Sequence, residues 1–403
     1  MTGILSGLTI IEGSAFVAAP LGGMTLAQMG ANVIRFDMIG GGLDYRRWPI
    51  TKDGNSLYWP SLNKGKKSIA IDIRNPKGQD LIHRMVAASK NFLTNFPARG
   101  WLDYDALSAD AKDLVMINVQ GNPDGSSELD YTVNCAAGFP DITGPADSDQ
   151  PVNHVLPAWD VSTGLYAALS FLAADRHRLQ TGQGQLVQIA LSDVAFATVG
   201  NLGYFAEAAI NGETRPRIGN DMLGSFGRDF PTKDGRRVMI VAITIRQWTG
   251  LLDATGTHEA VGNIEKTLGL DFSKEGDRYH ARDQLFGIFG AWCAQHTLSD
   301  IQEKFDANGV CWGPYRTVQN LLAEDPRASE ANPVFGHITQ PGIGTYLAPG
   351  SPLRFGAVEK DAPMIAPTLG QHTDEILSEI LKLTSLEIGH LHDEKIVAGP
   401  KEN

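Results

Sequence analysis

The chain has 403 residues, of which 42% are hydrophobic and 20% charged. That is room for two or three domains of roughly 150 residues each, with a sizeable core. A formal charge of -12 and a pI near 5.3 exclude the basic footprint of a nucleic-acid-binding protein. The three cysteines, Cys135, Cys293 and Cys311, form no C-x-x-C and fit a reducing cytoplasm rather than a disulfide framework. The first residues lack a basic segment ahead of a long apolar run, and no stretch of ~18 apolar residues is present, so neither a secretory signal nor a membrane span is expected.

In chain order, "LTIIEG" (8–13) predicts a strand and "APLGGMTLAQMG" (19–30) a helix. "NVIRFD" (32–37), "KSIAIDI" (67–73), "NFLTNF" (91–96) and "LVMINVQG" (114–121) predict further strands. Asn75 followed by Pro76 is a helix-start signal for the segment 75–89. Strand–helix alternation of this kind points to an α/β protein with an open, mainly parallel, Rossmann-like sheet. From Asp160 a long helix is predicted, with Leu165, Ala168, Leu169, Leu172 and Ala173 as its buried stripe and Gly182 as its stop. A strand and a further helix follow to about residue 201.

Residues 211–235 are rich in Gly, Pro and charge and read as a linker or active-site loop. The expected organisation is then a large α/β domain (1–210), this loop, a small α+β domain (236–325), and a return segment with C-terminal helices (326–403) packing on the large domain.

The usual chemical signatures are absent. No G-x-G-x-x-G follows the first strand, and there is no Walker A sequence and no G-x-S-x-G. Asp37 alone, without the glycine loop, is a weak candidate for a ribose-binding acid. The ten histidines show no ligand spacing, so no metal is expected. Lys64, Lys66, Lys67, Arg74 and Arg99 sit beside turn glycines or prolines near predicted strand ends, where they would collect phosphates or simply form a solvated basic surface. Asp160, in "NHVLPAWDVSTG" (153–164), stands at a predicted helix start and by itself reads as an N-cap.

Taken together, "GANVIRFD" (30–37), "LNKGKKSIAIDIRNPKG" (62–78), "TNFPARG" (94–100), "AWDVSTG" (158–164), "RLQTGQGQLVQIALSD" (178–193) and "GQHTDEIL" (370–377) resemble the family III CoA-transferases over nearly the whole chain. The resemblance implies an open α/β domain, a smaller second domain and an interlocked homodimer. It makes Asp160 the nucleophile. It gives CoA contacts to Phe16, Val17, Ala18, Ile71, Arg74, Asn95, Phe96 and Arg99. CoA then enters only as part of a thioester substrate of a small dicarboxylic acid, with no resident cofactor. An arginine common after the second strand is Met38 here, and Leu129 stands where related racemases carry a histidine.

Further similarity in "FDMIGGGLDYRRWP" (36–49), "GSFGRDF" (224–230) and "QPGIGTYLAPGSPL" (340–353) implies a branch that moves CoA between the two carboxyls of one C5 dicarboxylate. Exchange between separate acids, with a donor such as succinyl-CoA, and a catalytically inactive CoA-binding protein are the alternatives. Arg46, Arg47 and Arg228 are candidates for holding the distal carboxylate, unless acids such as Asp44 or Asp229 pair with them. The helix dipole is expected to keep Asp160 ionised for attack.

Overall fold

The computed structural model describes residues 3–359 and 361–400. It forms two compact units, one of Met1–Ala137, His154–Ile210 and Pro326–Asn403, the other of Gly138–Asn153 and Asn211–Asp325. In the first, strands β1 (Thr9–Gly13), β2 (Asn32–Asp37), β3 (Lys67–Ile71), β4 (Asn91–Thr94), β5 (Val115–Gln120) and β6 (Gln185–Ala190) form a sheet. They run parallel in the order β3-β2-β1-β4-β5-β6, so the order reverses between β1 and β4. Val397–Ala398 adds an antiparallel edge beside β3. Two residues are too short for a strand signal, and the sequence reading missed this one.

The strands are near-continuous apolar runs because helices cover both faces. Ile11, Ile34, Phe36, Ile69, Phe92 and Met116 point to one face, against Leu81, Ile82, Met85 and Val86 of α2 (Pro76–Ser89). Their neighbours Ile10, Val33, Leu93, Val115 and Ile117 point to the other, against α1 (Ala18–Ala27) and α4 (Ala158–Thr181). Between α2 and α4 lies the short α3 (Asp130–Ala136), and α5 (Leu191–Asn201) follows β6. The Asn75 side chain caps α2, accepting from Lys77 N, and Gly182 at φ 75° ends α4.

α4 buries only part of the predicted stripe, Ala168 fully and Leu172 in part. Trp159, Thr163, Gly164, Ala167, Ala168, Phe171 and Ala174 are buried, whereas Leu165 and Leu169 are 52% and 61% exposed. Close helix packing chose small residues over large ones. A Cβ on Gly164 would lie 2.6 Å from the Ala18 carbonyl oxygen, so α1 and α4 approach at backbone distance. That approach sets the start of α4 beside the turn that follows β1.

In the second unit, β7 (Phe226–Pro231), β8 (Arg237–Ala242) and β9 (Cys311–Pro314) form an antiparallel sheet. Residues 211–235 therefore are not all loop. Phe226 and Phe230 are core residues, packed with Trp248, Phe286 and Phe289. The glycines and charges around them hid a strand that is only six residues long and buries its residues without a clean alternation. No helix among the described residues is long and apolar enough to cross a membrane.

Candidate active site

The reversal of strand order between β1 and β4 opens a crevice at their carboxyl ends, the usual ligand position in an open α/β sheet. Asn95, just past β4, staples the two sides together. Its Oδ1 accepts from Ala15 N (2.9 Å) and its Nδ2 donates to Ala15 O (2.7 Å). Phe16 follows with φ 67°, a left-handed backbone that a bulky residue adopts only when held there. The Asp44 carboxylate holds it, accepting Phe16 N at 3.1 Å.

Beneath this turn lies a buried ionic network. Arg35 grips Asp37 through Nε and Nη2, both at 2.9 Å, and reaches Asp44 at 3.0 Å. Lys66 Nζ donates to Glu12 (2.7 Å), Asn63 Oδ1 (2.9 Å) and the Pro20 carbonyl (2.8 Å). A buried network of this kind contributes little net stability, but it specifies one geometry for the turn above it. Gly23 is required for it, since a Cβ there would lie 1.7 Å from Glu12 Oε2.

Above the turn is a cavity of about 480 Å3, a size typical of small-molecule sites. Phe16, Val17, Ala18, Asn95, Gln120, Gly121, Leu191, Arg47, Tyr58, Leu129, Asp130 and Asp160 are among the residues that line it. Asp160 is the third residue of α4 and not its N-cap. The cap is supplied from α3: Asp130 Oδ2 accepts Trp159 N at 2.7 Å and Asp160 N at 3.0 Å. Asp160 is thus released from the duty that its position in the sequence suggested.

Nor is the Asp160 carboxyl held firmly ionised. Burial first, and then the neighbouring Asp130 charge, push its pKa up to about 7, against the pull of Arg47. Arg47 lies over Phe16 (5.2 Å) and Tyr58 (5.4 Å) and makes no ion pair among the described residues. Among the described residues it is the one cationic side chain lining the cavity.

The other candidates scatter. Lys66 is fully buried on Glu12, Lys64 is buried with Nζ donating to Ser61 O (2.9 Å), and Lys67 pairs with Glu375 (2.5 Å). Asp37 is committed to Arg35, which removes it as a ribose ligand. Ile71 is wholly buried in the sheet core, Phe96 packs edge-on against Phe36, and Arg74 and Arg99 are exposed. None of these four lines the Asp160 cavity. Arg46 faces a separate depression with Tyr45, Asn55 and Thr368. Arg228, in the second unit, pairs with Asp221 (3.4 Å) and lies over Phe286 (4.7 Å). Asp44 pairs with Arg35 and Asp229 with Arg237.

Sequence reasoning missed Asp130 and Tyr58. Asp130 acts on backbone groups 29 and 30 residues further along, and no local pattern signals a cap at that range.

A family model described as CoA-transferase family III matches residues 5–373. The chain belongs to that family. It is 56% identical over 405 residues, 99% of both chains, to a 2-methylfumaryl-CoA isomerase of Chloroflexus aurantiacus. It is 29% identical to a succinyl-CoA–D-citramalate CoA-transferase of the same organism, over 98% of each chain. Among solved structures, a CAIB/BAIF family protein from Brucella suis superposes with a TM-score of 0.78 at 26% identity, covering 94% of this chain and 100% of that one. In this chain the crevice, the stapled turn and the helix start around Asp160 are thus built on a family III fold.

Proposed function

We propose that this family III enzyme moves CoA between the two carboxyls of one C5 dicarboxylate, converting 2-methylfumaryl-CoA (mesaconyl-C1-CoA) into 3-methylfumaryl-CoA (mesaconyl-C4-CoA). The observation that carries the reading is one cavity holding a carboxylate of raised pKa, Asp160, and Arg47, an arginine that forms no ion pair among the described residues. The name of the 56% identical relative supports it. Asp160 attacks the thioester carbonyl, the C–S bond breaks, and CoA thiolate leaves a mixed anhydride on the enzyme. The thiolate then attacks the aspartyl carbonyl, giving an aspartyl-CoA thioester and a dicarboxylate with both ends free. The dicarboxylate turns in place. Its other carboxylate attacks the aspartyl thioester, and the thiolate returns to that new acyl carbon, regenerating Asp160. No proton is gained or lost over the cycle.

In this reading Arg47 holds the carboxylate that is not reacting, a task suited to a planar guanidinium. Phe16, Val17, Ala18 and Asn95 receive the thioester end of CoA. Arg74 and Arg99, with Phe96 and the backbone at Ile71, meet its outer part. This reading gives the distal carboxylate to Arg47 rather than to Arg46, which faces another depression, or to Arg228, which pairs with Asp221. The enzyme is a homodimer here, with the exposed Leu165, Tyr166 and Leu169 of α4 as part of the buried contact. A cytoplasmic location fits its three cysteines, none of which forms a disulfide among the described residues.

The test is to incubate the protein with the C1 thioester plus labelled free mesaconate and separate the CoA esters. The C4 ester should accumulate without label. Absence of the C4 ester would refute the activity, and rapid labelling would convert the reading to exchange between separate acids.

A further inference from the structure

The first turn of a helix leaves N–H groups without partners, and a side chain just ahead of it normally accepts them. Ahead of α4 stands Pro157, whose side chain makes no such bond. The acceptor comes instead from the start of α3. Asp130, 3% exposed, uses Oδ2 for the N–H groups of both Trp159 and Asp160. Its Oδ1 accepts from His154 Nε2 at 2.6 Å. One carboxylate thus ties α3, the irregular segment leading into α4, and the nucleophile's own backbone nitrogen.

An asparagine caps about as well as an aspartate. A charged cap beside a second carboxylate therefore needs another reason, because it repels Asp160. The reaction supplies one. In the anhydride and in the aspartyl thioester Asp160 carries no charge, so the repulsion is present in the resting enzyme and gone in both acylated forms. Asp130 also occupies the positive end of the helix, which would otherwise stabilise Asp160 as an ion and blunt its attack.

We infer that Asp130, held by His154, is a positioning residue for Asp160: it caps the helix in the nucleophile's place, and its charge favours the acylated states over the free carboxylate. This rests on Asp160 being the nucleophile. The charged or titratable groups facing Asp160 are Asp130 from α3 and Arg47 and Tyr58 from the β2–β3 connection, and Glu128 and Tyr131 line the same cavity.

The experiment compares Asp130→Asn, His154→Gln, His154→Ala and Asp160→Asn as full-length proteins, with kcat, KM and the pH profile of kcat/KM. Asp130→Asn should hold KM for the CoA ester within about threefold while kcat falls about 10- to 100-fold. Its acid limb should move down by on the order of one pH unit, since a like charge has been removed. His154→Gln, which keeps a donor toward Asp130, should retain most of the turnover that His154→Ala loses. An acid limb in Asp130→Asn that stays with the wild type would reduce Asp130 to an ordinary cap and overturn the inference. Should Asp130→Asn fail to fold, the histidine pair decides: equal, wild-type turnover in both would overturn it as well. Asp160→Asn keeps the two claims apart. If it is inactive while the acid limb of Asp130→Asn is unmoved, only this inference fails; if it is active, the nucleophile assignment itself is lost.

Discussion

Replacing Asp160 by Asn should make the protein more stable at pH 8 and change little near pH 4. The carboxyl titrates at about 7 in the folded protein against 3.8 for an unperturbed group. Between those values the folded state keeps a proton that the unfolded chain has lost, so stability falls as pH rises. Below about pH 4 the site contributes its full stability, and by about pH 7 that contribution is gone. Three pH units at ~1.4 kcal/mol each give an upper bound of about 4 kcal/mol. Solvent in the cavity mouth screens the group, which brings the expected cost to about 1–2 kcal/mol. The amide carries no charge to bury and repels neither Asp130 nor a substrate carboxylate. Thermal unfolding of both proteins in one mixed buffer from pH 5 to pH 8 reads the effect directly. The gap between the melting curves should open with pH by a few degrees in favour of Asp160→Asn. Two curves that run parallel over the whole range would mean that Asp160 is not desolvated as described, and the reasoning from its burial would fall.

Arg47→Gln should lower kcat/KM for the dicarboxylate thioester about 100-fold, the order expected for losing a charge-assisted pair. It should matter far less for a thioester of a monocarboxylic acid, and equal losses on both would deny Arg47 the distal carboxylate. Lys66→Met leaves buried Glu12 with only the Ser14 hydroxyl and a more distant Arg35 (3.9 Å) and should cost about 3 kcal/mol in unfolding experiments. Its KM for the CoA ester should not change, whereas a raised KM would return Lys66 to the CoA site. Leu169→Glu on the exposed face of α4 should convert a dimer to monomers in sedimentation, and an unchanged sedimentation profile would move the contact elsewhere.

The strands were legible because each is a run of β-branched and apolar residues between turn signals, and β2 matches its predicted bounds of 32–37. The buried face of α4 was not, because leucines outrank alanines in any hydrophobic count. Close contact with α1 demanded small residues there and left Leu165 and Leu169 outside. The lysines of "NKGKKS" looked like phosphate ligands because sequence gives charge without burial. Lys66 is used inside the molecule by Glu12, 54 residues away, and Lys67 by Glu375, 308 residues away. Asp160 was legible as a carboxylate at a helix start, where by itself it reads as an N-cap, and the fold places it three residues into α4 instead. Its environment was not, because the Asp130 cap and the Arg47 side chain reach it only through the fold.

The central claim is that CoA passes through a covalent bond to Asp160. The direct measurement is to quench the protein with hydroxylamine during turnover of the C1 thioester and map the modified peptide by mass spectrometry. An aspartyl hydroxamate at Asp160, formed only with substrate and absent from Asp160→Asn, is the predicted result. An unmodified Asp160 peptide from protein that is actively converting the C1 ester to the C4 ester would contradict the account.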